Sequence, residues 1–457
     1  MTHLNRLDRT GGERNGTTMN AAASRPRARV LAEATKTLAF RAISVVVGGM
    51  SSLLLARTLS VGEMGAYSLF GLFAAVMGAL FGSGYSGVAY LVSNRRIPAA
   101  AALRSALPII AVGAASSITL ALYLPAANAI GTSPIVAMLA GMGVAAFIAA
   151  SYWQGIFLGL SRITAHNVTQ YGPQYLLLIL LITGALSGRL TFPWAVGAWA
   201  AAHILNVLRL AVTRGHADLA AKQGASWQLA RVILRFNWQL AIGSVLTIAA
   251  SRANLVTLTA RHGLYAAALY SVPLLLAESL CHFPMSLVVA SYGTLGELSR
   301  ARSAEVTARF VRATLWALSL LAAVFAASAG LLPVLLGAKY APAVKVLRIL
   351  MLGIPAYACK DVFVSFFLNQ DGRPGFAGAT FVLGAVVSVV IGILIVPEMG
   401  AAGAAWAYVC AALVSFGVLA FRFSRSCRIP LKDLIIIRAA DLSAIAHRQT
   451  GAASDGC

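Results

Sequence analysis

Apolar runs of about twenty residues recur from Lys36 almost to Arg422, each ended by charged residues or by Pro/Gly breaks. In a helix, about twenty such residues cross the ~30 Å hydrocarbon layer of a bilayer. The pattern predicts twelve crossings, near residues 37–56, 64–92, 105–126, 134–158, 168–188, 193–213, 236–258, 264–292, 312–336, 346–369, 375–397 and 401–421. The second and eighth are long for a straight crossing and are expected to tilt or bend. Backbone groups in hydrocarbon need partners within their own segment, so the predicted class is an all-α polytopic membrane protein.

Composition closes off other classes. Of 457 residues, 59% are hydrophobic and 11% charged, against about 25% charged in soluble domains. Too few polar residues exist to coat a water-facing surface of this size. The five cysteines, Cys281, Cys359, Cys410, Cys427 and Cys457, all fall in one half, mostly inside apolar spans, without CxxC or Cys/His spacing. That excludes a disulfide scaffold and implies inert thiols, with no metal or other cofactor.

The net charge is +22. With the N-terminus inside, the tails, loops and span ends on that side hold 27 of the 36 basic residues. The opposite loops hold five, Arg57, Arg189, Arg261, Lys339 and Lys345, and four lie within spans. Cytoplasmic segments retain Lys and Arg, so both termini are expected in the cytoplasm. Topology and attraction to anionic inner-leaflet lipids account for the charge; no nucleic acid is needed. The organisation expected is a disordered basic arm over 1–34, an N-lobe over 35–214, an amphipathic cytoplasmic linker over 215–235, a C-lobe over 236–422 and a cytoplasmic tail over 423–457. Basic and apolar residues alternate at helical spacing in 29–36 and 218–235, which suits helices lying on the inner face. The tail around Ile435 suits the same surface.

The two halves resemble each other at a nearly constant offset. Ala66-Tyr67-Ser68-Leu69 matches Leu269-Tyr270-Ser271-Val272, 203 positions later; Arg104-Ser105-Ala106 matches Arg312-Ala313-Thr314. Phe157-Leu158 and Arg162 match Phe367-Leu368 and Arg373. Pro193, Gly197 and Ala198-Trp199-Ala200 match Pro397, Gly403 and Ala405-Trp406-Ala407. Six spans per half is an even number, so both halves lie the same way up. This is a parallel repeat about an axis along the membrane normal, a geometry that places a transporter's site between two lobes.

Three stretches carry a family resemblance: Leu53-Leu54-Leu55-Ala56-Arg57-Thr58-Leu59-Ser60 with Glu63-Met64-Gly65-Ala66-Tyr67; Leu332-Pro333-Val334-Leu335-Leu336-Gly337-Ala338-Lys339-Tyr340; and Ile395-Val396-Pro397-Glu398-Met399-Gly400. Together they resemble the bacterial O-antigen and exopolysaccharide repeat-unit flippases of the multidrug/oligosaccharidyl-lipid/polysaccharide exporter (MOP) superfamily, over roughly residues 35–422. The resemblance implies alternating access in the bacterial inner membrane, carrying an undecaprenyl-diphosphate-linked oligosaccharide between leaflets. Membrane lipids surround it, and a polysaccharide polymerase and glycosyltransferases are implied partners. The chain departs from relatives at Arg252-Ala253-Asn254, where an acidic residue often follows the Arg, and this puts cation coupling through that position in doubt.

An ion inside the bilayer is functional by default, because it costs at least ~2.5 kcal/mol to insert. The intramembrane ions are Arg41 in the N-lobe and Arg252, Glu278, Arg348, Lys360 and Asp361 in the C-lobe. Arg348 lies near a span end and suits snorkelling, and Arg41, near the cytoplasmic end of its span, suits it as well as it suits a place in the cavity. For the implied substrate, Arg41, Arg252 and Lys360 are the expected diphosphate contacts, since Arg presents a fork matched to phosphate oxygens and Lys a point charge. Glu278 and Asp361 are expected as ion-pair or coupling carboxylates, and Asn237 and Gln239 as sugar contacts. Lys360 and Asp361 are adjacent and diverge by about 100° around a helix.

No HExxH, GxSxG or Walker sequence occurs, so an enzyme is not expected and ATP is not hydrolysed by this chain. Two other cargoes remain open: a cation-coupled multidrug antiporter, disfavoured by the lack of carboxylates within N-lobe spans, and a peptidoglycan-precursor flippase, disfavoured by the span count.

Overall fold

The computed structural model describes residues 19–94, 97–123, 133–160, 162–214, 226–281, 299–369 and 374–436. Helices α1 (Met19–Thr58), α2 (Val61–Met77), α3 (Tyr85–Asn94), α4 (Ala99–Leu122), α5 (Pro134–Gly159), α6 (Ile163–Leu186) and α7 (Phe192–Arg214) form the first lobe. The second contains α8 (Trp227–Ser279), α9 (Arg300–Ser328), α10 (Leu332–Leu336), α11 (Ala343–Asn369) and α12 (Pro374–Cys427), followed by a short α13 (Lys432–Ile435). Among the described residues there is no strand.

Helix α8 reverses at Gly263 (φ 76°) and α12 at Gly400 (φ 56°), so each makes two crossings. With α2 and α3 as one interrupted crossing, twelve crossings result, six per lobe. Glycine is required at both reversals because a Cβ disfavours positive φ. Gly188 (φ 67°) makes the corresponding reversal in the first lobe, 212 positions before Gly400. One match of the repeat does not survive: Pro193 opens the crossing after its reversal, whereas Pro397 precedes Gly400.

The long second crossing breaks, as its length predicts, at a π-turn over Gly78–Gly82. Of the eighth, residues 282–292 lie outside the described residues. The arm expected to be disordered through residue 34 is helical from Met19, continuous with the first crossing. Its many Ala and Arg residues favour helix; residues 1–18 lie outside the described residues. The expected linker helix is likewise not a separate element: residues 227–235 run unbroken into the seventh crossing, with 215–225 outside the described residues. The start of the tail docks on α9. Arg312 donates to the Asp433 carbonyl, Trp316 Nε1 donates to Ile435 O at 2.7 Å, and Leu434 is buried; residues 437–457 lie outside the description.

By parity the two ends of the chain share one face, the termini face; the other is the far face. One core joins both lobes at the far face, with Leu55, Leu59 and Met64 packed in the same cluster as Leu258, Leu336 and Tyr340. Toward the termini the lobes have separate cores, one around Phe70, Tyr152 and Phe157, the other around Phe363, Phe367 and Phe423. Ile233 of α8 belongs to the first of these, so the start of the seventh crossing leans on the first lobe. Among the described residues, the lobes thus share a core at the far face, and toward the termini they meet through the start of the seventh crossing.

Candidate functional site between the lobes

Arg41 lies on α1 on the termini side and is half-buried. Polar contacts hold its helix to α6: Asn167 Nδ2 donates to Thr37 Oγ1 at 3.0 Å, and the Tyr175 hydroxyl donates to Phe40 O at 3.3 Å, the same distance from Ser44 Oγ. Tyr171, near enough to Arg41 to feel its charge, adds a ring to this face. No carboxylate pairs with Arg41 among the described side chains.

The second lobe gathers its charges differently. Arg252 on the first arm of α8 and Glu278 on the second meet as an ion pair. The arms are antiparallel about Gly263, which brings positions 26 residues apart to the same depth. Lys360 and Asp361 also pair, at 3.8 Å. Their 100° divergence around α11 is overcome by the long Lys stem, whose ammonium lies 4.1 Å from the centre of the Tyr357 ring and 5.2 Å from that of Phe381. Lys360 also acts on Glu278 through space. Two cations and two carboxylates thus form one cluster, walled by Tyr270, Tyr357 and Tyr408. Lys360 is buried, while the Arg252, Glu278 and Asp361 side chains keep 23%, 19% and 26% of their surface accessible, so the cluster can still be reached. Asn254 donates to Ser388 Oγ at 2.9 Å and to Ala404 O at 3.5 Å, tying the seventh crossing to both arms of α12. Arg348 donates to Ala326 O at 3.2 Å and is exposed.

Asn237, expected as a sugar contact, does other work. It is 3% exposed, its Oδ1 accepts from Gly84 N at 2.7 Å, and its Nδ2 donates to Leu80 O at 2.6 Å. Both groups belong to the break in the second crossing, where helical partners are lost. Two side chains of α5 satisfy the neighbouring carbonyls: the Tyr152 hydroxyl donates to Phe81 O at 2.6 Å, and Ser151 Oγ to Gly82 O at 3.2 Å. Asn237 is spent on replacing backbone hydrogen bonds, and stacking of Phe236 on Tyr90 at 5.3 Å supports the same junction. The Gln239 side chain lies outside the described ones.

The far face holds polar contacts that sequence reasoning missed. Lys339, between α10 and α11, donates to the Leu59 carbonyl and, at 3.3 Å, to that of Arg57 at the end of α1. Arg57 Nη1 donates back to Leu335 O, 3.4 Å away at the end of α10. Burial lowers the Lys339 pKa from the usual lysine value, and the nearby Glu63 carboxylate acts in the opposite sense. Glu63 itself completes a capping box with Ser60, at 2.9 and 3.2 Å, and accepts from Phe192 N at 3.3 Å. Ser68 and Ser271, equivalent positions of the repeat, touch each other with their hydroxyl oxygens 2.7 Å apart. Residues that a two-fold axis relates meet where the axis passes, so the repeat is the signal that could have found this pair.

No protein-family model and no curated protein sequence matches the chain. Solved structures do. An inward-facing multidrug resistance MATE family transporter of the MOP superfamily superposes with TM-score 0.71 at 13% identity, over 87% of this chain and 99% of that one. An outward-facing structure of a MATE family transporter gives 0.59 at 13%, over 87% and 97%. The lipid II flippase MurJ, in an inward closed conformation, gives 0.58 at 13%, over 88% and 89%. The chain has the multi-pass fold of MOP superfamily transporters.

Proposed function

We propose that this chain is a flippase that carries an undecaprenyl-diphosphate-linked oligosaccharide from the inner to the outer leaflet by alternating access between its lobes. The observation that carries the reading is the distribution of charge. Between Glu33 and Asp218 the only acidic residue is Glu63, and that carboxylate is occupied at the far face. Arg41 thus stands half-buried on the termini side of the first lobe without a carboxylate partner among the described side chains. A lone cation within a membrane is costly to keep, and an anionic cargo offsets that cost. A diphosphate also cannot cross hydrocarbon unpaired, and a guanidinium matches its oxygens.

In this state Arg252 and Lys360 are each held by a carboxylate. They reach a diphosphate only by exchanging partners, which makes them later contacts than Arg41. Glu278 and Asp361 would then take up the released charge, by a proton or by each other's cation. The separate cores of the two lobes on the termini side, among the described residues, support loading from there; the Lys/Arg asymmetry suits that side to the cytoplasm, and the family resemblance implies a bacterial inner membrane. A multidrug antiporter calls for carboxylates facing the first lobe's cavity, and its described spans offer none there. The lipid II reading shares the diphosphate and differs in the sugar.

The test is binding of a short-chain polyprenyl diphosphate to the detergent-purified protein. Arg41→Gln is expected to weaken it at least about tenfold, one charge-assisted hydrogen bond's worth. Unchanged affinity in that variant contradicts the assignment of Arg41.

A further inference from the structure

We propose that residues 335–340 of the second lobe are the latch of a gate at the far face, closing on the end of α1 by reciprocal helix capping. The closing chemistry is mutual. A helix C-terminus leaves carbonyls without intrahelical donors and carries partial negative charge, which a cation stabilises. Lys339 supplies that cation to the carbonyls of Arg57 and Leu59, and Arg57 supplies it to Leu335 O, at the end of α10. Each lobe thus caps a helix of the other, and neither cap survives if the lobes separate on this face.

Local backbone aims the latch. Gly337 has φ 101° and ends α10 so abruptly that Lys339 projects toward the first lobe; a side chain at Gly337 is disfavoured by that φ. The Tyr340 ring, fully buried in the core shared by both lobes, anchors the turn beside it. Glu63, fixed by its capping box one turn into α2, holds negative charge near Lys339. Below the latch the lobes touch through the Ser68–Ser271 hydroxyl pair and through Gly65, which packs directly against the Leu264 carbonyl.

The inference rests on transport by two moving lobes but not on the cargo. Its test therefore uses no substrate. Cysteines replace Ser68 and Ser271, whose oxygens are 2.7 Å apart, and disulfide formation is followed in membranes by mass spectrometry of the joined peptides. Rapid cross-linking is expected in the parent pair. Lys339→Met and Arg57→Met, which keep the stems and remove the charges from opposite lobes, are each expected to slow it about fivefold, and Lys339→Arg to leave it near the parent rate. If either Met variant does not accumulate, Lys339→Gln takes its place with the same expectation. Cross-linking at the parent rate in the charge-removing variants overturns the latch while leaving the Arg41 assignment standing; lost polyprenyl diphosphate recognition does the reverse.

Discussion

Asn237 shows how much a single side chain can decide, and how little of that is visible in its neighbours along the chain. Asn-Trp-Gln at the start of a crossing suits sugar recognition or an interfacial belt equally well. Only the break in a crossing more than 150 residues away, at Leu80 and Gly84, explains why an amide with one donor and one acceptor is needed. Asn237→Ala leaves a buried N–H and a buried carbonyl unpaired and is expected to cost about 2 kcal/mol or more, read as lowered thermal stability of the purified protein. Stability equal to the parent with lost transport would return Asn237 to the cargo. The charged residues were easier to find, since an ion in an apolar run is conspicuous. Their pairing was half legible: Arg252 and Glu278 lie on consecutive antiparallel spans, so similar depth followed from arithmetic, whereas the reach of Lys360 to its own neighbour Asp361 depends on a bent stem laid over Tyr357.

At the scale of helices, apolar run length predicted every crossing, because the bilayer's thickness imposes a length that composition cannot hide. Helix ends were less legible. The start at Met19 and the continuity of 227–235 with the seventh crossing follow from helix-favouring residues that belong to no apolar run. The break at Gly78–Gly82 was foreshadowed only by excess length. Small residues mark where helices approach, and Gly65 on α2 faces the second arm of α8 across the lobe boundary. A Cβ there would overlap the Leu264 carbonyl oxygen. Because backbone cannot swing aside as a side chain does, Gly65→Ala is expected to push the far face open. A cysteine at Ser271 should then react with a membrane-impermeant maleimide from the far side in Gly65→Ala, and not in the Gly65 parent. Equal protection in both would mean that the far face is not held by this contact.

For the molecule as a whole, the internal repeat was the most informative feature of the sequence. It foretold two like-oriented lobes, and the structure adds that the matched Ser68 and Ser271 meet, although the Pro193–Pro397 match proved fortuitous. What the repeat could not show is the asymmetry on which the proposed function turns. Among the described residues the lobes share one core at the far face and have two further cores toward the termini, one of which takes in Ile233 from the start of the seventh crossing. One lobe carries an Arg41 without a carboxylate partner among the described side chains, and the other holds its cations in neutral pairs. On the proposed reading, an anion entering from the termini side meets a positive first lobe and, beyond it, charges that can be exchanged. Translocation in proteoliposomes measures this most directly, using a fluorescent polyprenyl-diphosphate-linked oligosaccharide whose leaflet is read by quenching. The account predicts flipping by the wild-type protein and at least about tenfold slower flipping by Arg41→Gln. No translocation of the diphosphate-linked lipid, beside pH-driven movement of an organic cation by the same vesicles, would contradict it.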